Sequence, residues 1–187
     1  MYVLHSLEIT LIRGLFIGRF QPFHNGHLEA INYILKKTDE LIIVIGSSQL
    51  SHEKANPFTA GERVSMIRLA LNDIGIDSAR YLIIPVPDVT VHSTWFSELK
   101  SYVPDFEIVF SNEPLTRLLV KEAGFKVSSI PFFKRKLYKA TEIRSRILSG
   151  ENWSDLVPRS VANFIEKSGC AQRIIDMSSS DFVDDKC

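Results

Sequence analysis

With 187 residues the chain is long enough for one domain with a proper core, and its 45% hydrophobic, 24% charged and 10% aromatic content excludes a disordered or fibrous protein. Twenty-two basic side chains balance 22 acidic ones, so the basic surplus of a nucleic-acid binder is missing and any anion site must be local. Two cysteines near the C-terminus, Cys170 and Cys187, make neither a disulfide framework nor a metal knuckle. Residues 1–10 lack the basic start of a signal peptide, and the longest aliphatic run, 41–45, is far short of the roughly 20 residues of a membrane span. The expectation is a cytoplasmic protein with no membrane and no nucleic-acid partner.

The chain alternates between two periodicities. An apolar run at 14–20 reads as a buried strand, and Leu28, Ile31, Ile34 and Leu35 follow at helical spacing. A second run at 41–46 precedes a helix over 59–72, where Thr59 and Glu62 have capping-box spacing and Met66, Ile67, Ala70 and Leu71 form an apolar stripe. Runs at 81–86 and 106–110, and a weaker one at 125–130, alternate with helices at 93–102 and 113–123. Residues 142–148 and 158–167 read as further helices, the latter with Pro158 in its first turn. Residues 176–187 form a polar, low-complexity tail, which leaves 1–175 as one domain. Brief strands taking turns with helices predict an α/β fold: a Rossmann-like open parallel sheet with helices on both faces and a small C-terminal helical part. Ligands of such folds sit beyond the carboxyl ends of the strands, so the loops leaving the strands carry the information.

The first such loop reads GRFQPFHNGH, residues 18–27. It is neither a P-loop nor a GxGxxG fingerprint, yet a strand running into a helix start presents unpaired amides that suit a phosphate. Gly26 permits close backbone approach, and His24 and His27, three residues apart, project from the first turn to one region as neutral or cationic donors. A His-x-x-His pair lacks the third ligand of a usual zinc site. Phe20 and Phe23 belong to the loop and its packing.

On these residues the chain resembles the nucleotidyltransferase superfamily, in which an (H/T)xGH element follows the first strand. With GSSQLSH at 46–52, NPFTAGER at 56–63, IPVPD at 84–88 and TEIR at 141–144, in that order across 13–168, it is similar to the archaeal-type nicotinamide mononucleotide (NMN) adenylyltransferases. The resemblance implies transfer of the adenylyl group of ATP to NMN, giving NAD and pyrophosphate by direct in-line attack. Magnesium would be carried on the ATP phosphates with no protein ligand named. Nicotinic acid mononucleotide is a possible second acceptor, and a homo-oligomer is favoured.

The basic stretch 132–146 supplies a second clamp. Thr141 and Arg144 fit the superfamily's S-x-T-x-x-R element, whereas the leading serine is replaced by Lys139; Lys134, Lys136 and Arg146 are weaker candidates. His27 and Arg144 are assigned to the α-phosphate and leaving pyrophosphate, His24 and Arg19 to the remaining phosphates. Gly18, Phe20, Gly26, Gly46, Ser47, Asp88, Trp95 and Thr141 are the expected substrate contacts. The resemblance makes Trp95 a stacking partner for the cationic nicotinamide ring; a core tryptophan is the competing reading, and Trp153 is assigned to packing. Serines 47 and 48 read as donors to ribose or phosphate, His52 and Asn56 as residues at the mouth, Arg63 as either a site residue or a surface ion-pair partner. Two rivals stand beside this function: a sibling adenylyl- or cytidylyltransferase acting on phosphopantetheine, flavin mononucleotide or glycerol phosphate, and a non-catalytic nucleotide sensor.

Overall fold

Along β1 (Arg13–Gly18) neighbouring side chains point to opposite faces of the sheet, so Leu15 and Phe16 enter different cores. The computed structural model describes residues 11–133 and 137–178. Four more parallel strands accompany β1: β2 (Glu40–Ile45), β3 (Tyr81–Pro85), β4 (Ile108–Phe110) and β5 (Lys126–Ser128). Their spatial order is β3-β2-β1-β4-β5, with Leu15 beside Ile42 and Val109 in register. Helices α1 (Asn25–Leu35), α2 (Ala60–Asp73), α3 (Trp95–Tyr102), α4 (Pro114–Glu122), α5 (Ala140–Ser149), α6 (Arg159–Lys167) and α7 (Cys170–Ser178) complete the described chain, with short 3₁₀ turns between some of them.

One face of the sheet, with Phe16, Ile43 and Phe110, packs against α1, α2, α5, α6 and α7 through Ile31, Ile34, Met66, Ile67, Ile143, Ile165 and Ile174. The other, with Leu15, Ile42, Val44 and Val109, packs against α3 and α4 through Phe96, Leu99 and Val120. Helices therefore cover both faces, which is why β2 needs five consecutive buried aliphatic residues. No helix among the described residues is long and apolar enough to cross a membrane.

Three details differ from the sequence expectation. The fourth strand is only three residues long: Phe106 is buried in the α3/α4 core but lies outside the ladder. Pro158 is the N-cap of α6 with extended ψ of 147°, not a first-turn residue, and the helix starts at Arg159. The tail expected from residue 176 is helical through Ser178, while 179–187 lie outside the described residues. Gly169, at φ 71°, takes the left-handed conformation that ends α6 and lets the chain restart as α7. Burial of Cys170 and Ile174 then holds the new helix down.

A charged anchor fastens α7 to α2. Glu62 completes the capping box with Thr59, accepting its N–H at 2.8 Å while the Thr59 hydroxyl accepts the Glu62 N–H at 3.2 Å. The same carboxylate takes two hydrogen bonds from Arg173, each 2.8 Å, and one from the Cys170 thiol at 3.4 Å. Burial alone would raise the carboxyl pKa, but the bonds from Arg173, Thr59 and Cys170 outweigh it and lower it from 4.5 to about 2. A depressed carboxyl pKa contributes stability that is present above the unfolded value and lost as pH falls from 4.5 through about 2. Glu62→Gln is expected to be the less stable form at pH 7, and its deficit against the wild type to shrink across that acid window. Thermal melts of both proteins between pH 7 and 2 check this; an unchanging gap would show that ionisation of Glu62 is immaterial.

Candidate active site

The chain leaves β1 toward β2 and β3 on one side, then returns to β4 on the other side of β1. At this reversal the loops leaving β1 and β4 diverge and open a crevice beyond the strand ends. Two hollows occupy it. The larger, about 560 Å³, is walled by Gly18, Arg19, Gly46, Ser47, Asp88 and Trp95. The smaller, about 390 Å³, is walled by His24, Gly26, His27, Asn112, Ile130 and Tyr138. Ile17, Ser111 and Glu113 line both, so the two are halves of one trough.

His24 is the N-cap of α1 and His27 its third residue, and they form a reciprocal capping box. Each Nδ1 accepts the other's backbone N–H at 3.3 Å, and the rings stack with centroids 3.5 Å apart. An Nδ1 that accepts cannot carry a proton, so both imidazoles present Nε2–H as their donor. Burial lowers the His24 pKa from 6.5 to about 4. Burial, and then the neighbouring His24, hold that of His27 well below the ordinary histidine value. Of the two forms left open by the sequence, the neutral donor is the one the free protein holds at pH 7.

The rest of the β1–α1 loop serves this pair. Phe20, at φ 52°, turns its ring into the core against Phe16, Phe23 and His27. Phe20 therefore supports His27 with its ring, in place of the substrate contact expected of it. Gln21 bonds the backbone N–H and carbonyl of Phe58, tying the loop to the start of α2. Gly26 is closely hemmed: a Cβ there would meet Tyr138 Cβ at 3.0 Å and the His24 ring at 3.2 Å, tighter than ordinary contact.

Arg144, the fifth residue of α5, donates to the carbonyl of Gln21, three residues before His24, at 2.6 Å. Its pKa is lowered first by burial and then by the positive charge of Arg19. Among the described residues neither guanidinium has a carboxylate partner. Arg19 and Arg144 act on one another as like charges, and each keeps donors of its fork free to bind an anion. Thr141 is exposed in the first turn of α5 and, with Lys54, Arg144 and Ser145, lines a side groove of about 320 Å³. Lys139, at the N-cap of α5, makes no side-chain cap bond. Arg146 is taken up by Glu142 at 2.8 Å and the Asn152 carbonyl; Lys134 and Lys136 lie outside the described residues.

A scan against family models matches the cytidylyltransferase-like family over residues 15–146. The nicotinamide-nucleotide adenylyltransferase of Saccharolobus solfataricus is 48% identical over 90% of this chain and 98% of its own length. That of Ignicoccus hospitalis is 47% identical over 91% of this chain and its entire length. This chain belongs to the nicotinamide-nucleotide adenylyltransferase family. Among solved structures, a bifunctional NMN adenylyltransferase/ADP-ribose pyrophosphatase from Francisella tularensis, complexed with AMP and a manganese ion, superposes with a TM-score of 0.75 at 25% identity. The match covers 89% of this chain and 52% of that one, so the chain spans about half the length of that structure.

Against the family's motifs, several sequence expectations change. Ser47, at φ 49°, gives its N–H and its hydroxyl proton to Asp88 Oδ1 at 3.2 and 3.0 Å, so this hydroxyl is not a free donor for ribose or phosphate. Asp88 thus walls the larger hollow and locks the β2 loop at once. Gly46 faces open space, its nearest neighbour being Ile17 at 3.9 Å from a built Cβ. Trp95, half-buried at the start of α3, lines the hollow while packing on the edge of the α3/α4 core. Trp153 packs against the main core as expected. His52 is exposed and bonds Ser51, Asn56 is buried, and neither lines the trough.

Arg63 is neither a substrate contact nor a surface ion-pair partner. It is fully buried and bonds only backbone carbonyls. The β4–α4 corner went unread in the sequence. There Glu113 caps α4 by accepting the Leu115 and Thr116 N–H groups. Burial would raise its pKa, but those bonds lower it, so it stands ionised between the two hollows. The available signal was an acidic residue directly before Pro114 at the end of a strand.

Proposed function

We propose that the chain transfers the adenylyl group of ATP to nicotinamide mononucleotide, releasing NAD and pyrophosphate. The observation that carries this reading is the trough with the stacked Nε2–H imidazoles at one end and Arg19 and an indole at the other, together with Arg144, unpaired and bonded to the Gln21 carbonyl of the same β1–α1 loop. Family membership and the activity for which those relatives are named support it.

The reaction needs no protein nucleophile. A phosphate oxygen of NMN attacks the α-phosphorus of ATP, a new P–O bond forms, and the bond to the bridging oxygen breaks so that pyrophosphate departs. The protein's part is to align two anions that repel each other and to spread the negative charge that builds up. His27 and Arg144 act at the α-phosphate and the departing pyrophosphate, His24 and Arg19 at the remaining phosphates. The α1 and α5 helix starts add oriented amides. Glu113, the anion in the middle of the trough, suits a ribose hydroxyl rather than a phosphate. Among the described residues no three His, Cys, Asp or Glu gather as a metal cage. Magnesium accompanying ATP would therefore draw its ligands mainly from phosphate oxygens and water.

Incubating the protein with ATP, magnesium and NMN, and following NAD by mass spectrometry with pyrophosphate in parallel, tests the function. Nicotinic acid mononucleotide, phosphopantetheine and flavin mononucleotide serve as competing acceptors. Pyrophosphate release with one of the last two but not with NMN would transfer the reading to a sibling activity, and ATP binding without pyrophosphate would make the protein a sensor. The ring site has its own test. Trp95→Ala should raise KM for NMN about tenfold through loss of cation–π stacking, with a smaller change in kcat. A lower melting temperature with KM unmoved would reduce Trp95 to a core residue.

A further inference from the structure

The largest fully buried side chain among the described residues is not aromatic but Arg63, on the first turn of α2. Nε donates to the Thr59 carbonyl at 3.2 Å. Nη1 donates to Arg19 at 3.1 Å and Gly46 at 2.9 Å. Nη2 donates to Ser47, Ser48 and Leu50 at 3.1, 3.3 and 3.4 Å. A guanidinium has five N–H groups in a fixed plane, and here all of them are spent on carbonyls. One carbonyl belongs to the β1 loop, four to the β2 loop and one to the cap of the arginine's own helix.

Burying a cation without a carboxylate partner is costly unless its donors are fully met. No salt bridge to Arg63 occurs among the described residues; the six carbonyls meet its donors, while the charges of Asp88 and Glu62 favour the cation without touching it. What they hold is specific. Arg19, Gly46 and Ser47 wall the larger hollow. Phe20 and Ser47, both non-glycine residues at positive φ of 52° and 49°, sit at the two places where the bonded carbonyls turn inward. Left-handed backbone of this kind persists only where surrounding contacts over-determine it. A lysine offers three donors at one point and cannot span both loops.

We propose that Arg63 is a positioning residue for the acceptor nucleotide: it joins the β1 and β2 loops and sets the wall of the nicotinamide-side hollow before substrate arrives. This rests on the function proposed above. Among the described residues the guanidinium hydrogen-bonds no part of α5 and neither imidazole, and four of its six carbonyls belong to the β2 loop, so its influence falls on the acceptor more than on ATP.

Arg63→Lys and Arg63→Met, each checked for fold by circular dichroism and melting, are assayed by initial rates with either substrate varied. In both, KM for NMN is expected to rise about tenfold or more and by more than KM for ATP. A purely structural arginine would lower the melting temperature or the active fraction and leave both KM values in place. Folded variants with KM for NMN within about twofold of the wild type overturn the proposal. Should neither variant fold, hydrogen exchange on the wild-type protein decides. Peptides covering 18–20 and 46–50 are expected to exchange slowly without substrate and to change little on saturation with NMN. Rapid exchange that slows only with NMN bound would mean the wall forms on binding, and Arg63 would not be its organiser. A wild-type protein that makes no NAD removes the proposed function itself; an active wild type with indifferent variants removes only the role of Arg63.

Discussion

Arg144→Ala is expected to lower kcat about a hundredfold or more while leaving the fold intact. The side chain leaves α5 on its partly exposed side and makes one hydrogen bond, to the Gln21 carbonyl, with no carboxylate to orphan when it is removed. Its loss therefore takes away little structure. In the proposed mechanism what goes is a preorganised cation where negative charge grows on the departing pyrophosphate, in a partly desolvated place where such a charge is worth more than in water. Arg144→Lys keeps the charge without the planar fork and should fall between the two. Steady-state rates, with melting curves as control, check this. A folded Arg144→Ala with near-normal kcat would remove α5 from the mechanism.

His27→Ala should cost about as much in kcat, and it should also cost about 1 kcal/mol of stability, because the same ring does two jobs. Its Nδ1 caps the His24 amide, and in the proposed mechanism its Nε2–H donates to phosphate. Glutamine at the third position of a helix satisfies a capping box as well, so His27→Gln separates the two. It is expected to recover most of the lost stability and little of the lost turnover. If His27→Gln regained turnover in step with stability, the imidazole would be a structural cap alone. The protonation state is open to direct measurement. Nitrogen NMR of labelled histidine should show the Nε2–H tautomer of both rings across pH 8 to 5.5, where an ordinary histidine of pKa about 6.5 would titrate.

Much of the fold was readable because it rests on local pattern. Five aliphatic residues in a row at 41–45 announce a strand covered on both faces, and Thr59 with Glu62 marks the start of α2. The site was readable where chemistry and spacing coincide, as with His24 and His27. What escaped depends on partners far along the chain. Arg63 sits among Glu62, Ser65 and Arg68, a neighbourhood that looks solvated, and only the folding of two loops onto it makes it interior. Ser47 looks like a free donor until Asp88, 41 residues later, takes its proton. The polar end of α7 is helical because Arg173 reaches Glu62 across 111 residues, which no local propensity reveals. Glu113 could be guessed as a cap, but not as the anion at the centre of the trough.

The nearness of Arg19 to Arg144 has one more effect. Like charges brought together this way recoil when nothing lies between them, so the empty protein is the uneasy partner and any compact polyanion brings relief. Inorganic tripolyphosphate, and the pyrophosphate the enzyme itself makes, ought then to compete with ATP, raise the melting temperature, and lose that grip as salt takes over the shielding.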